Sequence, residues 1–551
     1  MNNIYDIALN QAKSGQLEKA WSTLALNTSS LGLRELHLML DIALLAKESN
    51  WQEQTLILLI KKQANNYRWV NQLSVIYYHA QQFHKAVKLL REYTVNESQN
   101  ASAWFNLGFM SKLAGEYKAA IDAYEKALLL KVDSPEEAYC NIGNIYSQEL
   151  LDAQKATENY EKALECNKAF IPAKFNLAGL LEREGKLEKA CAAFLDCASS
   201  PSFRIQSLSR ALELESNADS KLQIADEIEL YLKDGKQSEN VIEDVDALFS
   251  LGRFYEEVKQ YEKSWACFVE ANNLDLKQRS SETIEKSLKQ CDLIKREFNI
   301  DLQVSHDQSN LVFICGLYRS GSTLLETMLS THPKLVSGGE IDVFRKRLFD
   351  EQDYFSAPVQ LNDVKASEII NEYLSRLKLH TNVNLDELNA QKKGTNHTNT
   401  QGYVLDKNPE NFLLIGYIKK LFPKAKFIWT LREKRNSVFS MYAQHFGFYQ
   451  AYSSRVSDIS TFYEQHLGLL AFWQNYFNED IKVVDYEQLV SFPEQTMSEI
   501  YEFLQIEQDY SYKKFNESMH LISTASMAQV RKPLHKNSLN RVEPFKKWLD
   551  I

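Results

Sequence analysis

Apolar residues in the first 300 positions recur at helical spacing, and the pattern itself repeats about every 34 residues. Trp104-Phe-Asn-Leu-Gly108 returns as Tyr139-Cys-Asn-Ile-Gly143, and the segment after each copy repeats as well, at 119–128 and 156–164. Small residues recur where paired helices must approach closely, and large apolar residues recur where one pair stacks on the next. We therefore predict an all-α helical solenoid over residues 1–300, clearest at 69–198.

The pattern changes near residue 305, after one more amphipathic segment at 280–298. Apolar runs typical of strands then alternate with helical stretches, which favours a parallel sheet covered by helices on both faces. The predicted strands are 311–315, 403–406, 426–431 and 481–485. The predicted helices lie near 322–331, 366–379, 410–421, 434–446, 458–477 and 493–504. We assign residues 307–551 to this second, α/β domain.

Charge is unevenly distributed over the two predicted domains. Residues 1–306 carry 35 Lys+Arg against 44 Asp+Glu, whereas residues 307–551 carry 28 against 29. A general affinity for nucleic acid is not expected, because contacts to phosphates need clustered cations. The acidic half is interpreted as a solvated helical surface, with a docking face for a basic partner as the alternative.

The seven cysteines form no CxxC pair and no zinc-ligand spacing with histidine, so we interpret them as apolar core residues in a reducing compartment. The first residues do not resemble a signal peptide, and no apolar run approaches the ~18 residues of a membrane span. The expectation is a cytoplasmic protein that binds no metal and has no membrane span.

The strongest chemical signal is the segment Gly316-Leu-Tyr-Arg-Ser-Gly-Ser-Thr323, which follows one predicted strand and opens a predicted helix. Loop amides and the positive end of a helix both favour an anion there, as in a P-loop. The position after the second glycine is Ser322, whereas a P-loop that binds a nucleoside triphosphate has a lysine there. The nearest cation in the sequence is Arg319. The segment therefore predicts a site for a phosphate-like group.

Further polar residues follow other predicted strands, whose carboxyl ends should lie along the same edge of the sheet. Arg432 and Ser440, eight residues apart, are placed to clasp a second phosphate, and Lys407 and Tyr486 each stand at a strand end.

Two resemblances follow from these residues. The repeats resemble the tetratricopeptide family over roughly residues 1–275, which implies a right-handed solenoid with a concave groove for a protein or peptide. Bracing of the second domain, or self-association, is the alternative role.

Residues 310–548 resemble the sulfotransferases that use 3′-phosphoadenosine 5′-phosphosulfate (PAPS), nearest the protein-tyrosine sulfotransferase branch. Arg-Ser-Gly-Ser-Thr at 319–323 is similar to the family's 5′-phosphosulfate loop. The resemblance implies a binding role for all the residues of this loop, namely Arg319, Ser320, Gly321, Ser322 and Thr323.

Other positions match the family singly. Arg432 and Ser440 match its 3′-phosphate pair, and Glu340, 21 residues after Arg319, matches the catalytic glutamate of the branch. Lys407 and Ser526 match the family residues that hold the reacting phosphosulfate in place. Tyr486 and Arg541 match positions near the bound nucleotide.

One position departs from the branch: Gln444 stands where a second 3′-phosphate arginine is expected, twelve residues after Arg432. Arg435 or Arg541 is the candidate substitute. The acceptor-recognition residues are not matched either, so the acceptor hydroxyl stays open between protein tyrosine, a glycan, a lipid head group and a small metabolite.

The implied reaction is sulfuryl transfer from PAPS to a hydroxyl, with Glu340 as general base and with Arg319, Lys407 and Ser526 stabilising the developing charge. Two alternatives remain: a P-loop kinase or NTPase, and a repeat scaffold whose second domain binds nucleotide without turnover.

Overall fold

A computed structural model describes residues 4–233, 241–299, 310–349, 355–356, 358–381, 402–517, 534 and 536–549. The chain divides after Leu177 into two compact units, and each is considered by itself. The predicted boundary near residue 305 lies outside the described residues, and the predicted limits of 1–300 and 307–551 stay a prediction.

The first unit is entirely helical, as the sequence predicts. Its helices α1 to α10 are Ile4–Lys13, Leu17–Ala25, Leu33–Ala46, Ser49–Lys62, Tyr67–His79, Phe83–Asn96, Ala101–Leu113, Tyr117–Leu129, Pro135–Asn144 and Ala153–Cys166. Helix α11, Ile171–Arg183, crosses the division. Consecutive helices from α1 to α10 pack against one another, and their apolar faces form core clusters of small and large residues, one across α1 to α8 and another across α8 and α9.

The recurring glycine of the repeat has a steric cause. A Cβ on Gly108 would lie 2.9 Å from the ring of Tyr124, and one on Gly143 would lie 2.6 Å from the ring of Tyr160. In each pair the glycine of one helix thus admits an aromatic ring from the next. Because these contacts fix how closely the helices approach, they fix the sequence signature as well.

The pair formed by α9 and α10 contains one residue more than its neighbour. Sixteen residues separate Gly108 from Tyr124, whereas seventeen separate Gly143 from Tyr160. A π-helical turn at Ile145–Glu149 lies within that longer stretch. Such a turn widens the helix by one residue, so the extra residue is accommodated without loss of the glycine–ring contact.

The second unit contains helices and a sheet. Its helices α12 to α17 are Leu187–Cys197, Arg204–Leu214, Ala218–Lys233, Val241–Glu257, Tyr261–Lys277 and Ser281–Glu297. The strands β1 to β5 are Leu311–Gly316, Leu335–Ser337, Tyr403–Lys407, Lys426–Leu431 and Ile481–Asp485. The helices among them, α18 to α25, are Ser322–Leu329, Val343–Leu348, Asp363–Thr381, Ile415–Leu421, Lys434–Tyr442, Val456–Phe477, Tyr486–Ser491 and Pro493–Leu504.

The five strands form one parallel sheet in the order β2-β3-β1-β4-β5. All four predicted strands are present, and the parallel arrangement is confirmed. Strand β2 escaped prediction because three residues are too few to show a period. Since every strand runs in the same direction, all five carboxyl ends lie along one edge of the sheet.

Both faces of the sheet are buried, which explains the uninterrupted apolar run of β1. Phe313 and Cys315 lie in one core, and Val312 and Ile314 lie in the other, because successive side chains of a strand point to opposite faces. Helices α18 and α25 cover the second face, through Leu325 and several residues of 497–504.

Helices α15 to α17 share the first of these cores with the sheet. Phe268 of α16 lies 6.3 Å, between ring centroids, from Phe439 and 6.5 Å from Phe545. Trp265 stacks on Trp548 at 5.7 Å. The last helices of the repeat-like region are therefore part of the same folded unit as the sheet.

Candidate active site

The loop between β1 and α18 is held in a conformation that most residues avoid. Gly316, Arg319 and Gly321 all have positive φ, of 140°, 68° and 96°. A Cβ on Gly321 would lie 2.3 Å from Cδ2 of Tyr486, so this position also needs glycine for space. Ser320 Oγ donates to the Leu317 carbonyl at 2.6 Å and fixes the turn. The loop thus presents its amides and the first turn of α18 at the edge of the sheet.

The structure brings the predicted phosphosulfate loop and the predicted 3′-phosphate pair together. Arg319 Nε donates to Ser440 Oγ at 3.3 Å, and Arg432 Nη1 donates to the carbonyl of Arg319 at 3.1 Å. The cause is the register of β1 with β4, which pairs Gly316 with Thr430 and sets the two strand ends side by side. The predicted phosphosulfate loop and the predicted 3′-phosphate pair are therefore next to each other.

The electrostatic balance around Arg319 is positive. Burial, followed by the charges of Arg541, Arg432 and Arg253, lowers the pKa of Arg319 to about 9. A guanidinium with this pKa stays protonated at neutral pH, and the lowered value reflects its burial first and the repulsion of the neighbouring cations second. Arg432 is also buried, and its Nε makes no hydrogen bond with the described residues. A dianionic group would satisfy both features.

Tyr486 and Arg541, predicted near the nucleotide, have defined partners. Arg432 lies 4.7 Å above the ring of Tyr486, whose hydroxyl is 2.7 Å from Ser538 Oγ. Arg541 forms a bidentate ion pair with Glu256 of α15, with both N–O distances 2.6 Å. Arg541 thus belongs to the same cationic region but is anchored by a carboxylate of the helical segment.

Lys407 and Glu340 form the second polar group of the site. Lys407 ends β3, is 1% exposed, and donates to Oε1 of Glu340. The Gly338-Gly339-Glu340 segment follows β2 and stays beside β3, since the amide of Lys407 donates to the carbonyl of Gly339 at 2.9 Å. The glutamate side chain is 42% exposed, so the pair joins a buried cation to an accessible carboxylate.

A second carboxylate, Glu326 of α18, lies beneath this pair. Its Oε2 is 3.9 Å from Lys407 Nζ, and its Oε1 accepts a 2.6 Å hydrogen bond from Ser337 Oγ. Burial raises the pKa of Glu326. Burial also opposes the charge of Lys407, but Glu340 and Glu326 outweigh it and raise the pKa of Lys407. Lys407 is therefore held as a cation.

The remaining predicted site residues lie at the start of α18 or outside the described residues. Ser320, Ser322 and Thr323 are buried in the loop and the first turn of the helix. Ser526 lies outside the described residues. The roles of all these residues stay predictions.

Two further residues were not predicted from the sequence. Glu326 is the single charged residue of α18, and that isolation was the available signal. Arg253 of α15 carries no local signal, because its place beside Arg319 arises only when α15 packs on the sheet unit.

A surface cavity of about 640 Å³ is lined by residues 491–495, 498, 508–510 and 512, none of which is a predicted site residue. No three His, Cys, Asp or Glu side chains within the described ranges converge as metal ligands. No helix among them has the length and apolar character needed to cross a bilayer.

Comparison with known proteins places these features in two families. A sulfotransferase family model matches residues 311–510, and a tetratricopeptide repeat model matches residues 101–131 and 136–170. The first match begins at β1 and includes the loop, Glu340, Lys407, Arg432 and Tyr486.

Curated relatives are distant. An uncharacterised protein of Aquifex aeolicus is 25% identical over 55% of this chain and 40% of its own. Protein-tyrosine sulfotransferase 1 of Danio rerio is 26% identical over 43% of this chain and 65% of its own, and the human protein of that name is 29% identical over 25% and 35%. The chain thus spans between about a third and two thirds of the length of these relatives.

Solved structures that a comparison matches to this chain include the sulfotransferase domain of the Synechococcus PCC 7002 olefin synthase. It is 18% identical, covers 44% of this chain and 96% of its own, and has a TM-score of 0.27. A tetratricopeptide repeat protein of Parabacteroides merdae is 17% identical over 43% of this chain and 93% of its own, with a TM-score of 0.34. The chain carries tetratricopeptide repeats followed by a sulfotransferase-family domain with a parallel five-stranded sheet.

Proposed function

We propose that the chain transfers a sulfuryl group from PAPS to a hydroxyl acceptor. In this reaction the bond between sulfur and the bridging phosphate oxygen breaks, and a new bond forms between sulfur and the acceptor oxygen. The acceptor proton passes to a base, and adenosine 3′,5′-bisphosphate leaves. The donor carries an anionic group at each end of its ribose, so the pocket must offer two adjoining sites for anions.

The observation that carries the proposal is the contact of Arg319 with both Ser440 and Arg432. The loop with its helix end provides one anion site, and the arginine–serine pair provides the other. Both lie beside Arg319, whose pKa is lowered by burial and then by the charges of Arg541, Arg432 and Arg253. Such fixed donors commonly contribute about 10²–10³ in rate each when charge develops beside them.

Glu340 is the proposed general base, because it is the accessible carboxylate of the pair with Lys407. Lys407 is proposed to move its hydrogen bond from Glu340 to the donor when the donor binds. That exchange would leave Glu340 able to accept the acceptor proton. Glu326 would keep a negative charge near the buried ammonium during the exchange.

The repeats are proposed to recruit the acceptor or a protein partner through the solenoid groove, which is the use implied by the tetratricopeptide resemblance. The identity of the acceptor hydroxyl, the absence of a metal requirement and the cytoplasmic location stay predictions.

The test is transfer of ³⁵S from labelled PAPS to a panel of a tyrosine peptide, an oligosaccharide and a small phenol. Label should appear in at least one acceptor, fall strongly in Glu340→Gln and disappear in Arg319→Ala. Asp342→Asn is the matched control, because this exposed carboxylate lies two residues from Glu340 and pairs only with Lys346 among the salt bridges of the described residues.

Binding measurements separate the alternatives. Calorimetry should show affinity for adenosine 3′,5′-bisphosphate without added metal. Affinity for ATP–Mg²⁺ with none for the bisphosphate would favour a P-loop kinase or NTPase. Bisphosphate binding with no transfer to any acceptor of a whole-cell extract would favour the inactive scaffold.

A further inference from the structure

The segment that follows Ser440 is fastened to helices α15 and α16. Asn272 donates to the carbonyl of Tyr442 at 2.9 Å, and Arg253 donates to that of Ala443 at 3.4 Å. His445 Nδ1 lies 2.7 Å from Asp246, and Arg279 donates to the carbonyl of Phe446 at 2.9 Å. Every residue from 442 to 446 except Gln444 is thus bonded, through main chain or side chain, to the helical segment.

Gln444 has no such bond to the described residues of the helical segment. Its side-chain nitrogen Nε2 lies 3.5 Å from the carbonyl of His445, its own neighbour. In the tyrosine-directed branch that the sequence resembles, an arginine for the 3′-phosphate is expected here. Arg253 lies next to position 444, because its guanidinium contacts the carbonyl of the preceding residue, Ala443.

We infer that Arg253 of helix α15 completes the pocket for the 3′-phosphate of the nucleotide, in place of the arginine that Gln444 replaces. The inference rests on the proposed function and adds to it a binding residue from outside the sulfotransferase-family segment.

Arg253 is fixed in place before a nucleotide arrives. Its Nη2 donates to Glu213 of α13, while Nη1 reaches the end of the helix that carries Ser440. Arg541, on another side of the same cluster, is held in the same way by Glu256. Preorganised cations of this kind bind an anion without the entropy cost of ordering a long side chain.

The charge of Arg253 acts on the pocket itself. It is one of the three guanidinium groups that lower the pKa of Arg319. Because Arg319 contacts Ser440, a phosphate bound beside Ser440 lies within the field of Arg253 as well.

The experiment is calorimetric titration of the full chain and its variants with adenosine 3′,5′-bisphosphate and with adenosine 5′-monophosphate, which lacks the 3′-phosphate. Arg253→Gln should weaken bisphosphate binding about tenfold, whereas Arg253→Lys should keep most of the affinity because it keeps the charge. Monophosphate binding should change less than about twofold, since the contact is to the missing group.

Arg279→Gln is the matched control. This arginine joins the same helical segment to the same stretch of chain, through Phe446 and Gly447, but is not among the cations that act on Arg319. Its loss should leave both affinities within about twofold. Thermal melts of each variant confirm folding.

Three results would overturn the inference while leaving the proposed function intact: unchanged bisphosphate affinity in Arg253→Gln, an equal loss for both nucleotides, or an equal loss in Arg279→Gln. A wild-type chain that binds no bisphosphate removes the proposed function, and this inference with it.

Discussion

Lys407 and Glu340, 67 residues apart in the chain, form an ion pair in which the ammonium is buried and the carboxylate reaches the surface. The pair depends on β2 and β3 being neighbours, because the Gly338-Gly339 segment then delivers Glu340 to the end of β3. The proposed general base and a buried cation are thereby placed together at one edge of the sheet.

Replacement of Lys407 by Met keeps the volume and removes the charge. We expect kcat for the proposed sulfuryl transfer to fall about 10²–10³-fold, because the cation that is proposed to stabilise the leaving group is lost. The free energy of unfolding should also fall by about 3 kcal/mol, since Glu326 is left buried without its cation.

Lys419→Met is the control for that experiment. Lys419 is also buried and pairs with Asp480 at 2.7 Å, but it lies on the helix Ile415–Leu421, at the opposite end of β4 from Arg432. Its loss should cost similar stability and leave kcat within about threefold. An equal fall in kcat for both variants would contradict a specific role for Lys407.

Gly321→Ala should strongly weaken nucleotide binding. The residue has φ +96°, and the new Cβ would lie 2.3 Å from Tyr486, so the loop or the ring must move. We expect bisphosphate affinity to fall more than about 30-fold, as the loop amides lose their common direction. Gly15→Ala, with φ +80° and open space around the new Cβ, carries the same backbone strain and should not change binding.

Sequence reasoning located the residues whose chemistry is tied to a strand end. Arg319, Lys407 and Arg432 each follow an apolar run, and parallel strands bring such positions to one edge. Their convergence therefore followed from the pattern alone. Strand β2 could not be predicted from the pattern, yet it determines where Glu340 lies.

The two residues that α15 contributes beside the site could not be predicted from the sequence pattern. Glu256 and Arg253 are polar residues of a helical pattern, and nothing within the repeat pattern distinguishes them. Their roles come from the packing of α15 and α16 against Phe439 and Phe545, which is a tertiary event with no short-range signature.

This packing predicts the behaviour of two fragments. Residues 178–551 should give a monodisperse, cooperatively folding protein, because they retain α15 to α17. Residues 307–551, the domain predicted from the sequence, should aggregate, since Phe439, Phe545 and Trp548 lose their partners on those helices. Gel filtration and thermal melts provide the measurement, and a monodisperse 307–551 fragment with a sharp melt would support the sequence-based boundary instead.

His445 should make the second unit less stable as the pH rises. Burial opposes the charge of His445, but Asp246 and Asp275 outweigh it and raise its pKa from 6.5 to about 9. The folded state therefore binds the proton more tightly than the unfolded state. The stabilisation is complete below pH 6.5 and is lost as the pH rises through about 9.

The loss over that window should be on the order of 3 kcal/mol, measured by urea unfolding at pH 6 and 9.5. His445→Gln should remove this slope, whereas His84→Gln, which replaces an exposed histidine of the first unit, should preserve it. A slope that persists in His445→Gln would assign the effect to other groups.

Two glycines of the repeats should respond oppositely to alanine. Gly143→Ala places a methyl group 2.6 Å from the ring of Tyr160 and should cost about 1–3 kcal/mol of unfolding free energy. Gly179→Ala, in helix α11, meets no atom within 4 Å and should gain about 0.5–1 kcal/mol from lower backbone entropy in the unfolded chain. Chemical unfolding of both variants tests the pair, and a destabilised Gly179→Ala would refute the steric explanation of the glycine pattern.

The π-helical turn at Ile145–Glu149 has a bearing on how related chains diverge in length. An insertion between a repeat glycine and its aromatic partner would normally move the ring away from the glycine. Related chains should therefore tolerate a one-residue insertion in this stretch only where the helix can widen locally. Homologues that lack the additional residue should have an unbroken α-helix at this point, and a deletion of one residue from 145–149 should restore that simpler form without unfolding the array.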